Sequence, residues 1–501
     1  MRTLYLMFPE KIGTIDPKIY GHFSEHIGGV IYDGIYVGRD SEVDNVDGFR
    51  TELIRKLREI NPPVLRWPGG CYAEQYDWRD GIGKDRPTRL NWWTYADGRY
   101  ESNEVGTHEF LRFCDLIGAE PYLAANMTSL PALAIRNWIE YCNAPEGSTT
   151  LAKERAENGH PTPFGVRYWG IGNENYGCGG NMRPQYYADR FRRFAELAAN
   201  VPGDVQLILA GSYDNNFAYT RGLMEGLADS DRPHRWSMAG FSLHYYCGSA
   251  GDPLTFSRDE WYELLRRAAR MDEYIGRHWH AIASYGMDRY LKLVIDEWGC
   301  WHPDGSGPSK GKNLFEQQST MRDAMVTALT LNIFNNHCDK IMMANAAQLV
   351  NNLHCLFLSA GQNCITTPTY EVFHMYREHQ GGQAIRTAVS EEMIPFRTGD
   401  GRADEIDDLS VSASVSDGYV TVSIANLSIE GDAAVQLLPV GEKTAQYGTV
   451  TTLAEDDPHA CNTFEEPDRV RARSEEKDLT KPLIIPKGGI ACVRMKIAER
   501  E

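Results

Sequence analysis

VRYWGIGNEN at residues 166–175, followed by PQYYADRFRRFAELAAN at 184–200 and VQLILA at 205–210, decides the fold of this 501-residue chain. The outer two stretches open as short apolar runs, and the middle one places apolar residues three and four apart. Strand, helix and strand in that order make a βαβ unit, whose two strands lie parallel in one sheet.

The same alternation runs from about residue 16 to about residue 375. Strands are expected at Ile19–Phe23, Val64–Trp67, Pro121–Ala125, Val166–Gly172, Val205–Ala210, Ala239–His244, Leu291–Glu297 and Lys340–Ala344. Helical periodicity fills the intervals, as in FRTELIRKLREI (49–60), THEFLRFCDLIG (107–118) and QQSTMRDAMVTALTLNIF (317–334). Eight such units predict an α/β fold, a (β/α)8 TIM barrel. An open doubly wound sheet is the competitor, but no GxGxxG or P-loop follows the first strand.

After about residue 380 the pattern changes. DLSVSASVSDGYVTVSIANLS (408–428) reads as two alternating strands joined around Ser416, Asp417 and Gly418. AAVQLLPV (433–440), GTVTTLA (448–454) and GGIACVRMKIA (488–498) add strands with no long helical pattern between them. This predicts a C-terminal antiparallel β-sandwich, jelly-roll-like, with residues 1–15 plus 376–501 forming it and 16–375 forming the barrel. The acidic stretch Glu455–Lys481 is expected to be a long surface loop inside that domain.

Hydrophobic residues at 42% and charged residues at 24% exclude disorder and fibrous architecture. A net charge of −18 repels phosphate backbones and anionic lipid, so neither nucleic acid nor membrane is an expected partner. No apolar window reaches the ~18–20 residues of a spanning helix. The apolar start is broken by Pro9, Glu10 and Lys11, so no export signal is read and a cytoplasmic location is expected. Eleven cysteines occur singly, without CxxC, and the histidines form no HExxH; free thiols and no metal are expected.

Barrel active sites lie at the C-terminal ends of the strands. VRYWGIGNEN ends on Asn173 and Glu174, and LKLVIDEWGCW (291–301) on Asp296 and Glu297, at the fourth and seventh strands. A lone glutamate is ordinarily a surface residue. Two at matching strand ends, each with a tryptophan close by, face one another across a cleft. That is the arrangement that cleaves glycosidic bonds, one carboxyl protonating the leaving oxygen while the other attacks the anomeric carbon or activates water. Trp67, Trp78, Trp92, Trp93, Trp169, Trp298, Trp301, Tyr245 and Tyr246 stand near strand ends or in the loops after them, where rings either stack on sugars or fill the core.

GHFSEHIGGVIYDGIY (21–36), VLRWPGGCYAEQYDWRDGIG (64–83), WGIGNENYGCGG (169–180), FSLHYY (241–246), IDEWGCW (295–301) and ANAAQLVNNLH (344–354) resemble, in order, successive blocks of the family 51 glycoside hydrolases, the α-L-arabinofuranosidases. The resemblance implies a retaining exo-acting enzyme with Glu174 as acid/base and Glu297 as nucleophile. It implies further that Asn173 binds the sugar 2-hydroxyl, and that Glu25, Asn126, His244, Tyr246 and Gln348 line the sugar subsite. Arg66 and Trp301 are supporting residues, with the Arg66 cation keeping Glu297 ionised. The acid is expected to have a raised pKa. Cys71 stands where many members carry Asn; it is either a weaker sugar contact or a small buried hydrophobe. Gly69 and Gly70 are read as a tight turn. Implied substrates are oligosaccharides of arabinan or arabinoxylan, with no cofactor, and the implied assembly is a homohexamer. The alternatives are another retaining barrel glycosidase, a β-xylosidase or endo-β-glucanase, and a carbohydrate-binding protein without catalysis.

Overall fold

The computed structural model describes all residues except 92, 94–98, 230–235, 391 and 499–501, so Trp92 lies outside the described residues. Strand β1 spans Arg2–Thr14. Eight strands then follow: β2 Gly21–Phe23, β3 Val64–Trp67, β4 Glu120–Ala125, β5 Tyr168–Ile171, β6 Gln206–Tyr213, β7 Met238–Tyr246, β8 Lys292–Gly299 and β9 Ile341–Ala347. Each pairs with the next, and β9 closes on β2, giving a closed parallel barrel. Every expected barrel strand is present. The main departures are extensions at C-terminal ends, where β6, β7 and β9 run on into residues of the cleft.

The strands read as continuous apolar runs because both faces are covered. Val64, Tyr122, Tyr168, Ile208, Val294 and Met343 form a small cluster of their own, whereas residues of the opposite face join the helices in the main core. Helix α1, Thr51–Ile60, shows the logic of the outer layer: it buries Leu53, Ile54, Leu57 and Ile60 and stops at Asn61, whose φ of 51° ends the helical path. The helix Arg258–Ala283 starts on a Ser257–Glu260 capping box.

Helix Met321–Asn336 is buried all round. Its outer side carries Asn332, Asn335 and Asn336, which donate to Ser410 O, Ser412 Oγ and Val411 O at 3.0–3.1 Å. Those acceptors belong to the C-terminal sheet, so the helix joins barrel to sheet. Nine strands make that sheet: β1 with β10 Gln383–Val389, β11 Leu409–Ser416, β12 Tyr419–Asn426, β13 Ala433–Val440, β14 Tyr447–Leu453, β15 Arg473–Asp478, β16 Leu483–Ile485 and β17 Ile490–Lys496. β1 pairs antiparallel with β10 and parallel with β13. Eight of the nine strands, β15 excepted, contribute to one apolar core. The β11–β12 hairpin turns where expected, at Asp417 and Gly418, both at positive φ (50° and 78°) as a tight primed turn requires.

The stretch Glu455–Lys481 is not simply a surface loop. It contains β15, paired with β14, and its Ala460, Asn462 and Val470 are fully buried. Ala460 O accepts from Met321 N at 3.0 Å, and Gln318 donates to Asn462 O at 3.0 Å. Charged residues on the solvent face masked this, because one buried residue in several leaves no alternation to read. Among the described residues, no helix is long and apolar enough to cross a membrane.

Candidate active site

At the C-terminal mouth of the barrel, β8 delivers Glu297 and the turn after β5 delivers Glu174. Glu174 has a φ of 42° and follows Gly172 at 92°, so the chain turns sharply as it leaves the strand. His244, near the end of β7, stands between the two carboxylates: its Nδ1 is 2.9 Å from Glu174 Oε1 and 3.5 Å from Glu297 Oε2. Ligating atoms of Glu174, His244 and Glu297 all lie within 4.8 Å of one another. The two carboxylates thus bring ligand oxygens within 4.8 Å, a spacing of the order found in carboxylate pairs that act by nucleophilic attack.

Glu297 is held on both oxygens. Arg66 donates to Oε1 at 2.8 Å and the Tyr246 hydroxyl to Oε2 at 2.9 Å. The same guanidinium donates to Asn173 Oδ1 at 2.6 Å, lies 3.9 Å from Asp296 and rests on the Phe23 ring. Burial opposes its charge, but the Asp296 and Glu297 carboxylates more than offset this and raise its pKa. Asp296 in turn accepts from Tyr122 and Asn345. A fixed cation bound to two carboxylates and an amide holds Glu297 aimed into the cleft.

Glu174 departs from expectation. Burial pushes its pKa up, but the hydrogen bond and charge of His244, with help from Tyr176 and Arg66, bring it below the usual value. His244 is raised in turn, the carboxylates of Glu297 and Glu174 overcoming its burial. Each group of this pair thus favours the charged form of the other, and the two stand within one short proton transfer, 2.9 Å apart. Position alone could not reveal this, because it depends on a histidine 70 residues away in the chain.

Glu25, after β2, accepts from Tyr72 N and from Gln348 Nε2, each at 3.0 Å. Burial, with the charge of Glu297, lifts its pKa to about 8. Gln348 keeps its Oε1 buried and without a hydrogen-bond partner, beside the end of β9. Gly70 is needed for close approach: a Cβ there would stand 2.7 Å from both Glu25 oxygens. Trp301, 38% exposed, meets the Tyr246 ring edge-on at 5.1 Å. Asn126 is engaged elsewhere: its amide donates to Tyr76 O and Ser129 Oγ and accepts from Ser129 N, so it braces its own loop. Of the other rings, Trp67, Trp78, Trp169, Trp298 and Tyr245 are buried.

Two further departures concern cysteine and an overlooked carboxylate. Cys71 is not a free thiol but is disulfide-bonded to Cys178. The bridge ties the loop after β3 to the loop after β5, and both sulfurs lie within 4 Å of Glu174 Oε2. Cys178 is four residues beyond Glu174, and a spacing of 107 residues between the partners gave no hint of pairing. Glu74, 5% exposed, accepts from Asn173 N and Asn175 Nδ2 at 2.7 Å and from Met127 N and Thr128 N at 2.8 Å. It fixes the backbone on which Asn173 and Glu174 sit.

Chemically, such a cleft can attack an electrophilic carbon with one carboxylate and move a proton with the other. Two family profiles match the chain: "Alpha-L-arabinofuranosidase 1 domain" over residues 56–248 and "Alpha-L-arabinofuranosidase C-terminal domain" over residues 296–483. An "intracellular exo-alpha-L-arabinofuranosidase" of Bacteroides ovatus is 36% identical over 467 residues, 91% of this chain and 87% of the relative. An "intracellular exo-alpha-(1->5)-L-arabinofuranosidase" of Halalkalibacterium halodurans is 33% identical over 359 residues, 68% of either chain. Among solved structures, the GH51 arabinofuranosidase of Xanthomonas axonopodis pv. citri superposes with a TM-score of 0.90 at 32% identity, covering 99% of this chain and 100% of its own.

Proposed function

The chain belongs to glycoside hydrolase family 51, the α-L-arabinofuranosidases, and from that premise we infer a retaining double displacement carried by Glu297 and Glu174. The activity is hydrolysis of α-L-arabinofuranosides. Glu297, held by Arg66 and Tyr246, attacks the anomeric carbon. The C–O bond to the leaving group breaks as Glu174, hydrogen-bonded to His244, protonates the departing oxygen. Glu174, now a carboxylate, then takes a proton from water, whose oxygen displaces Glu297 and releases arabinose. Asn173, clamped by Arg66 and Glu74, is placed for the sugar 2-hydroxyl. Glu25 and Gln348 are placed for other hydroxyls, with Glu25 protonated near neutrality and able to donate.

The observation that carries this reading is the bridging of both carboxylates by His244, with the acidic oxygens within 4.8 Å. The test is proton NMR of the first-formed sugar from an aryl α-L-arabinofuranoside. Initial release of the α-anomer is expected, and initial release of the β-anomer would refute the mechanism.

The substrates we propose are terminal arabinofuranosyl groups of arabinan or arabinoxylan oligosaccharides, taken from the non-reducing end inside the cell. The names of the relatives from Bacteroides ovatus and Halalkalibacterium halodurans support exo action and an intracellular location. The division into a barrel of residues 16–375 and a sheet domain of 1–15 plus 376–501 is likewise our reading, supported by the pairing of β1 with β10 and β13. A homohexamer is proposed from the family resemblance, and light scattering near the 56.5 kDa monomer mass would refute it.

A further inference from the structure

Around the barrel the strands run in order from β2 to β9, and β9 closes on β2. Glu25 and Gln348, placed for the hydroxyls of the arabinose, follow β2 and β9. Directly across the ring from that pair of strands stand β5 and β6. Glu174 follows β5, so a leaving group that Glu174 protonates departs away from β2 and β9, toward the β5–β6 side of the mouth. Exposure agrees with that direction: the Glu174 side chain is 25% exposed and the Glu297 side chain 8%.

The β5–β6 side ends in a pair of tyrosines. Tyr213 closes β6 and pairs in register with His244 of β7. Register partners on neighbouring strands point to the same face of the sheet, so Tyr213 shares the face from which His244 meets the two carboxylates. His244 is buried there, whereas Tyr213 is 37% exposed. The Tyr213 ring lies 4.4 Å from the Tyr176 ring, tilted by 41°, and the Tyr176 ring meets Tyr219 edge-on at 5.8 Å. Tyr219 is itself buried, on the helix Phe217–Ala228. Tyr176 stands two residues beyond Glu174, with its buried hydroxyl close enough to lower the pKa of that carboxyl. The backbone beside Tyr213 is fixed as well: Asp214 N donates to His244 O at 3.1 Å, and His278 Nε2 donates to Asp214 O at 2.8 Å.

A single exposed aromatic residue is ordinary. One braced from behind by two further rings, beside the catalytic acid, is a rigid flat face with little conformational entropy left to lose when a ligand covers it. Pyranose rings carry C–H groups on their faces and hydroxyls at their edges, so they pack on such a face and keep their hydroxyls in water.

We propose that Tyr213, backed by Tyr176, is the stacking platform for a pyranose ring in the leaving group, the sugar from which the arabinofuranosyl group is cut. The platform rests on the reading of Glu174 as acid/base. It holds the leaving sugar while the glycosidic oxygen takes the Glu174 proton and the C–O bond breaks. In the reverse sense it holds a sugar acceptor, whose hydroxyl oxygen displaces Glu297 from the anomeric carbon while Glu174 takes the hydroxyl proton. Tyr213 touches the leaving sugar and none of the reacting atoms, so it sets specificity and leaves the chemical step to the carboxylates.

The test compares an arabinofuranosyl xylo-oligosaccharide with methyl α-L-arabinofuranoside, whose aglycone has no ring. Tyr213→Ala should lower kcat/KM on the first about two- to tenfold and leave the second unchanged. Tyr213→Leu, which keeps the bulk without the flat face, should fall with it, and Tyr213→Phe should hold the parent value. With 4-nitrophenyl α-L-arabinofuranoside as donor and xylobiose as acceptor, the share of arabinosyl groups transferred to xylobiose should fall by a similar factor in Tyr213→Ala. If Tyr213→Ala fails to fold, the contrast between the Leu and Phe variants decides. The same result on both substrates, whether loss or none, overturns the platform, as does undiminished transfer. Initial release of the β-anomer from the methyl glycoside would overturn the double displacement, and the platform with it.

Discussion

Replacing Glu74 by Gln separates a positioning role from a merely structural one. Oε1 of Glu74 serves Asn173 N and Asn175 Nδ2, and Oε2 serves Met127 N and Thr128 N. A glutamine keeps one acceptor oxygen and turns an NH2 group toward the other two donors, so either orientation orphans two donors. At about 1–3 kcal/mol per orphaned buried group, the loss is about 2–6 kcal/mol of stability. The backbone set free in one orientation is that of Asn173 and Glu174, and in the other that of the loop after β4. A displacement of about 1 Å in a catalytic group lowers turnover on the order of 10²-fold. Steady-state kinetics on 4-nitrophenyl α-L-arabinofuranoside, paired with urea unfolding, should show a lower midpoint and a loss mainly in kcat. Glu74→Asp, which keeps both acceptors on a shorter stem, should recover part of it. An unchanged midpoint with kcat within about twofold of the parent would refute the reasoning.

Glu297→Ala should abolish turnover on every substrate, read with aryl and oligosaccharide substrates alike; equal activity to the parent would remove Glu297 from its role. Glu174→Ala should spare substrates with good leaving groups far more than natural ones, and azide should restore part of the rate, giving the azide adduct by mass spectrometry. Gly70→Ala sets a methyl against both Glu25 oxygens, so KM for arabinofuranosides should rise at least tenfold; an unchanged KM would exclude that crowding. Glu25 titrates near 8 in the folded protein against 4.5 ordinarily. Between those values the folded state holds a proton the unfolded chain has lost, so stability falls as pH rises, by up to about 1.4 kcal/mol per pH unit. Glu25→Gln should flatten that slope in urea titrations between pH 5 and 8, and identical slopes would contradict the assignment.

The barrel was legible because parallel strands buried on both faces are written as apolar runs, and because helices such as Thr51–Ile60 carry a clear apolar stripe. The two carboxylates were legible for a related reason, each being a charge that interrupts such a run at its end. What escaped reading depends on distant partners. The pairing of Cys71 with Cys178, the service of Glu74 to two loops and the coupling of His244 to Glu174 are set by residues brought together only by closure of the barrel. Gly70 read as a turn because composition alone does not tell conformational freedom from close approach.

The most direct test of the account is the identity of the covalent intermediate. Glu174→Ala, incubated briefly with an aryl α-L-arabinofuranoside of good leaving group, should accumulate protein heavier by one arabinosyl residue, and peptide mapping should place that residue on Glu297. An arabinosyl group on any other side chain, or turnover by the inverting route with no adduct at all, would contradict it.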